Sequence, residues 1–227
     1  IGVLTFEPMP KMFFNNNLSN FRISNQKQKI NSLKKHNVDF VIIKKFNKKF
    51  SKIKSTNFIK NILVSKLQAK FIFVSNNFRF GNRREGDVKQ LIKYEKIFNY
   101  KIVKPKPLSK NKKIISSTLI RNLLMKGKIK KANEFLNREW SIEGMVKKGR
   151  QLGKKIGFPT ANIDIKDYII AKTGVYAVKV KKHNNNNKFI RGIANLGYRP
   201  TFNQKKILLE VHLFNFSKNL YNKYLTI

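Results

Sequence analysis

Residues Gly153–Asn162 (GKKIGFPTAN) bring together two glycines, two lysines and a Pro-Thr-Ala-Asn tetrad. Gly153 and Gly157 let a backbone approach a ligand closely and adopt positive φ. Backbone N–H groups in such a loop can line an anion site, with Lys154 and Lys155 adding charge. Thr160 and Asn162 offer two hard oxygens that share one side if the segment is extended. Hard oxygens beside phosphate suit Mg²⁺, which takes few protein ligands and completes its shell with phosphate and water. The spacing is not the Walker A pattern, so a P-loop NTPase is not supported. The competing reading is a basic turn between strands.

A second candidate is Ile207–Phe214 (ILLEVHLF). In a strand, Leu209, Val211 and Leu213 share one face, and Leu208, Glu210, His212 and Phe214 share the other. A carboxylate in an apolar strand costs free energy to bury unless it is paired or used. Glu210 is therefore either one partner of a salt bridge or a general base facing a pocket. His212 reads as structural, and His36 and His183 as incidental. A third candidate is Ser116–Arg121, where hydroxyl residues precede Leu119, Ile120, Leu123 and Leu124 as a helix N-cap. A helix start of this kind is also an anion site, although capping alone accounts for the hydroxyls.

The elements that must carry these residues fall into two patterns. From Ile1 to Leu136, short apolar runs alternate with helical stripes. Strands are expected at Ile1–Phe6, Phe40–Ile43, Phe71–Val74 and Lys101–Val103, with Phe40–Ile43 buried. Helices are expected at Gln26–His36, Ser55–Leu67 and Val88–Phe98, then from Leu119 to a stop at Gly127, and over Lys128–Leu136. Such alternation predicts parallel strands with crossover helices, a doubly wound α/β sheet whose ligands sit at the carboxyl ends of the strands. From Trp140 onward the runs are short and strand-like: Trp140–Lys147, Gly174–Lys181, Phe189–Leu196 and Ile207–Phe214. That half predicts a small β-barrel, with His183–Asn187 as a hairpin tip. The boundary is expected near Asn137–Glu139, giving domains 1–138 and 139–227.

The 227 residues leave ample length for cores. There is no cysteine, which excludes disulfides, thiolate catalysis and Cys-ligated zinc and fits a reducing, cytoplasmic setting. No apolar run reaches the roughly 20 residues that span a bilayer, so no membrane partner is expected. The charge is +39, from 50 basic and 11 acidic residues. That would attract any polyanion, and a non-catalytic nucleic-acid-binding module is the alternative function. The lysines are spread along the whole chain, however, and the densest patches, Lys44–Lys54 and Lys101–Lys113, lack interleaved stacking aromatics. Nucleic acid is therefore not the expected partner. Ile1 opens in a strand already under way and Leu225–Ile227 ends mid-pattern, as expected of a fragment.

Segments along the chain, in order, resemble the bacterial bifunctional riboflavin kinase/FAD synthetase family. They are Thr5–Pro8 (TFEP), Asn77–Gly81 (NFRFG), Ser116–Arg121 (SSTLIR), GKKIGFPTAN, Gly174–Val178 (GVYAV), Gly192–Gly197 (GIANLG), Arg199–Phe202 (RPTF) and Leu209–Phe214 (LEVHLF). The resemblance implies a Rossmann-like FMN adenylyltransferase domain followed by a riboflavin kinase barrel, both using ATP and Mg²⁺, with riboflavin and FMN as substrates. It implies that Thr160 and Asn162 bind Mg²⁺ and ATP phosphates, and that Gly153, Lys155 and Gly157 line the nucleotide loop. Glu210 would be the base for the ribityl 5′-hydroxyl. In the first module, Ser117, Thr118 and Arg121 would hold ATP phosphates, and Asn77 would contact the flavin. Met9, Ser75 and Asn215 depart from the family's usual histidine, glycine and aspartate. The family's Gly-rich, two-histidine turn would lie before Ile1.

Overall fold

The computed structural model describes residues 1–15, 18, 20–149, 159–165, 168–182, 188–200 and 205–227. Contacts divide the chain into two compact units: Ile1–Asn16 with Asp39–Ile114, and Asn17–Val38 with Ile115–Ile227.

In the first unit, strand β1 (Gly2–Glu7) pairs in parallel with β2 (Phe40–Lys45), Gly2 opposite Phe40. Strand β3 (Phe71–Phe73) pairs in parallel with β4 (Lys101–Val103). The parallel pairing expected from the alternation is present, among the described residues as two separate pairs. Parallel strands are buried only when both faces are covered. Here Phe40 is 56% and Ile43 38% exposed, so the expectation of a buried Phe40–Ile43 strand is not met. The Phe58-to-Leu67 stripe folds as a π-helix (Phe58–Lys66), closed by Leu67 N donating to Ile62 O at 3.0 Å. An apolar stripe fixes the buried face, with Phe58, Ile59 and Leu63 inside, but it does not distinguish i→i+4 from i→i+5 bonding. The expected helix Val88–Phe98 is two short ones meeting at Tyr94, and Asp87 caps the first through Gln90 N at 2.9 Å. The core closes around Leu91, Ile72 and Tyr100, whose hydroxyl donates to Leu91 O at 2.7 Å.

The second unit holds helices α1 (Gln26–Lys34), α2 (Ser117–Met125) and α3 (Ile129–Leu136) and a closed six-stranded barrel. Its strands are β5 (Glu143–Lys147), β6 (Thr160–Ile163), β7 (Gly174–Lys182), β8 (Ile190–Pro200), β9 (Lys205–Leu213) and β10 (Tyr224–Thr226). Around the barrel they run β6, β9, β8, β7, β10, β5, and β5 closes back onto β6. The alternation of a strand decides the rest. Val146, Ile163, Val180, Ala194, Leu196, Leu209, Val211 and Leu225 fill the interior and are all buried, so the residues between them face outward. Strands β6 and β10 are three or four residues long, too short to show a period, which is why neither was legible as a strand.

Residues 20–28 belong to this unit by their bonds. Asn20 Nδ2 donates to Ile165 O and Tyr168 O, and Trp140 Nε1 donates to Ile23 O. Gln28 closes a capping box with Asn25, donates to Ser141 and accepts from the Tyr168 hydroxyl at 2.9 Å. In the sequence α1 reads as a crossover between the first two strands, yet the polar partners of its Gln28 are Ser141 and Tyr168, in the second unit.

Candidate active site

One row of residues runs across the outer face of four barrel strands. Asn162 of β6 pairs with Lys147 of β5 on one side and with Glu210 of β9 on the other. Glu210 in turn pairs with Asn195 of β8. Directly opposed residues in antiparallel strands point to the same face, with Cβ atoms about 4.5–5.5 Å apart. The row Lys147–Asn162–Glu210–Asn195 is therefore contiguous. In the next row Thr160 pairs with His212, which puts Thr160 diagonal to Glu210 at about 7–8 Å between Cα atoms. The tetrad is extended at Thr160–Ile163, so Thr160 and Asn162 share this face.

The details favour a ligand here. Asn162 is 8% exposed, and its side chain makes no hydrogen bond among the described residues. The backbone at Gly149 packs directly over it, close enough that a Cβ at 149 would lie 2.8 Å from Asn162 Cγ. Glu210 is half-buried and takes part in no ion pair among the described residues, so the salt-bridge reading has no partner there. Lys147 leans to Asp164, Nζ to Oδ2 2.9 Å. His212 Nδ1 lies 3.0 Å from Pro159 O. Thr160 also borders a cavity of about 260 Å³ rimmed by Ser217, Lys218 and Asn219.

The two neutral hard oxygens of Thr160 and Asn162, on one face, are a donor pair that fits Mg²⁺ brought in with a polyphosphate, and the Glu210 carboxylate beside them stays available as a base. Among the described residues no three His, Cys, Asp or Glu side chains group to hold a metal by themselves, so phosphate oxygens would have to complete its shell. Gly153, Lys155 and Gly157 lie outside the described residues. Asn195 and Gly149 were not legible as site residues, because only the register of β8 and β9 and the path over Asn162 single them out.

The other expected residues lie elsewhere. Ser116 Oγ caps α2 through Leu119 N at 3.1 Å, leaving Ser117 and Thr118 exposed at its first turn. Arg121 follows one turn on and is held from behind. Its Nε donates to Phe21 O at 2.8 Å, and its guanidinium stacks 3.5 Å from the Phe21 ring centroid. Burial lowers its pKa from the ordinary value. Asn77 lies in the first unit, in a turn where Ser75 Oγ donates to Asn77 Oδ1 at 2.9 Å. The residues after it, Phe78–Gly81, line a cavity of about 540 Å³ walled by Phe6, Phe46, Phe50 and Phe58 and rimmed by Arg83 and Arg84.

Comparison with known proteins covers both halves. Residues 1–119 match the FAD synthetase family model, and residues 136–227 match the riboflavin kinase family model. A bifunctional riboflavin kinase/FMN adenylyltransferase of Buchnera aphidicola (subspecies Schizaphis graminum) is 42% identical, over 97% of this chain and 71% of the relative. The Haemophilus influenzae protein of that description is 37% identical over 98% and 72%, and the Escherichia coli K12 one is 34% identical over 100% and 72%. A solved structure described as a macrolide-efflux protein from Streptococcus pneumoniae aligns with a TM-score of 0.81 at 26% identity, over 100% of this chain and 73% of that one. No helix among the described residues is long and apolar enough to cross a membrane.

Proposed function

This chain belongs to the bifunctional riboflavin kinase/FMN adenylyltransferase family, and from that premise we propose that its barrel phosphorylates riboflavin at the Thr160–Asn162–Glu210 face. It is an enzyme of flavin cofactor biosynthesis, and a non-catalytic nucleic-acid module is not favoured. The observation that carries the kinase assignment is the register that sets Glu210 directly across from Asn162, with Thr160 on the diagonal.

Thr160 and Asn162 would hold MgATP by its phosphates, and Gly153, Lys155 and Gly157 would line the nucleotide loop. The bound Mg²⁺ supplies neutralisation of phosphate charge. Phosphoryl transfer asks the protein mainly for positioning and charge stabilisation. With the nucleotide on the β6 side of Glu210, the alcohol must approach from the β8 side, where Asn195 stands. Glu210 takes the proton from the ribityl 5′-hydroxyl as its oxygen bonds the γ-phosphorus and the bond to the β-phosphate oxygen breaks. The products are FMN and ADP.

For FAD formation, the exposed N-terminus of α2 presents Ser117, Thr118 and Arg121 to ATP phosphates. Arg121, anchored at Phe21, would stabilise charge as pyrophosphate leaves. The Phe-walled cavity beside Asn77 has the aromatic lining an isoalloxazine ring requires, and its arginine rim suits the FMN phosphate.

The kinase assignment is tested by Glu210→Gln in the full-length protein. ATP-dependent FMN formation should lose about 10²–10⁴-fold in kcat, the worth of a general base, while MgATP affinity stays within severalfold. Wild-type kcat would remove Glu210 from this role.

A further inference from the structure

We propose that His212 is a positioning residue for the nucleotide site. It fixes the carbonyl of Pro159 and thereby the placement of Thr160. The inference rests on the reading of Thr160 and Asn162 as the MgATP ligands.

His212 and Thr160 are directly paired across β9 and β6, so the imidazole lies beside the start of the tetrad. Strand β6 begins at Thr160, and the Pro159 carbonyl lies one residue before it. The imidazole Nδ1 sits 3.0 Å from that oxygen. A carbonyl oxygen can only accept, so Nδ1 must carry the hydrogen. This fixes the tautomer: in the neutral ring, Nε2 is the lone-pair nitrogen. The ring is also held by Phe214, at 5.8 Å between centroids and 72° between planes. A side chain restrained on two sides thus extends the β6–β9 ladder by one bond. That bond falls next to the first of the two proposed ligand residues, where a slack strand end would spread the Thr160 hydroxyl over many positions. A ligand group held to about 0.5 Å needs this kind of support.

Substituted amides separate the two ring nitrogens. Asn places its Nδ2 near the position of His Nδ1 and can donate to Pro159, whereas Gln places its amide nitrogen near Nε2 and cannot. In the full-length protein, His212→Ala and His212→Gln should raise the MgATP dissociation constant about two- to twelvefold, the range of one net hydrogen bond. His212→Asn should restore most of the affinity, and KM for riboflavin should stay within twofold in all three. Equal affinities for wild type, Ala and Gln would overturn the proposal, as would Asn behaving like Ala. If wild type itself fails to bind MgATP, the kinase reading falls first, and that outcome is distinct from either of these. Nitrogen-15 spectra of the wild-type imidazole supply a readout independent of folding in the variants. They should show the Nδ1-protonated tautomer, and an Nε2-protonated ring would refute the geometry.

Discussion

Gly149→Ala probes the site without touching a proposed ligand. A methyl built at Gly149 would lie 2.8 Å from Asn162 Cγ and 3.0 Å from its Oδ1. Both are well inside the roughly 3.5–4.0 Å of a comfortable carbon contact. Either the backbone at 149 moves or the amide turns away. The amide is the cheaper choice, since it is the end of a short side chain with no hydrogen bond to break among the described residues. Overpacking of this kind costs about 1–3 kcal/mol. If the amide rotates, that cost appears in ligand binding and not in folding. At 1.4 kcal/mol per tenfold, MgATP affinity should fall about fivefold to a hundredfold, with the melting temperature nearly unchanged. Calorimetric titration with MgATP and a thermal melt read the two quantities separately. A double variant closes the argument: with Asn162→Ala present, Gly149→Ala should add little, because the two changes act on one contact. Wild-type MgATP affinity in Gly149→Ala, or full additivity in the double variant, would show that the Asn162 amide does not hold the nucleotide.

Asn195→Ala removes the neighbour of Glu210 on the acceptor side, and should raise KM for riboflavin more than KM for MgATP in steady-state assays. Phe21→Ala removes the ring stacked on Arg121; FAD formation should fall severalfold and riboflavin phosphorylation should not, as assayed with FMN and riboflavin in turn. Burial, then the charge of Glu95, pushes the Tyr100 phenol up to about 12. The folded state therefore favours the neutral phenol, so its stabilisation is complete below the unfolded value of about 10 and is lost as pH rises through about 12. Urea unfolding across that window should show a decline that Tyr100→Phe flattens.

The second half of the chain was the more legible one. Period-2 alternation in Leu208–Phe214 put Glu210 and His212 on one face and Leu209, Val211 and Leu213 on the other, and the barrel interior follows that division. Ser116 was readable as a cap from its hydroxyl and the apolar run after it, and it caps. What periodicity could not carry is register. That Asn195 stands opposite Glu210 depends on how β8 slides against β9, and no local pattern encodes it. The crossing of Gly149 over Asn162 is likewise a long-range event. In the first half, the Phe40–Ile43 run looked buried because apolar β-branched residues normally are. Burial depends on what covers a strand, and two-stranded pairs leave Phe40 and Phe71 open. Helix α1 reads correctly as a helix, but its partners follow from Gln28 reaching Ser141, just as Asn20 ahead of it reaches Tyr168, each more than a hundred positions away.

A metal nucleotide on the β6–β9 face of the barrel would broaden the signals of the residues around it. With Mn²⁺ replacing Mg²⁺ in the nucleotide complex of the full-length protein, and amide signals followed by NMR, Thr160, Asn162 and Glu210 should bleach first, while Tyr224–Thr226 across the barrel stay sharp. Bleaching of Tyr224–Thr226 with Thr160 and Asn162 intact would contradict that placement.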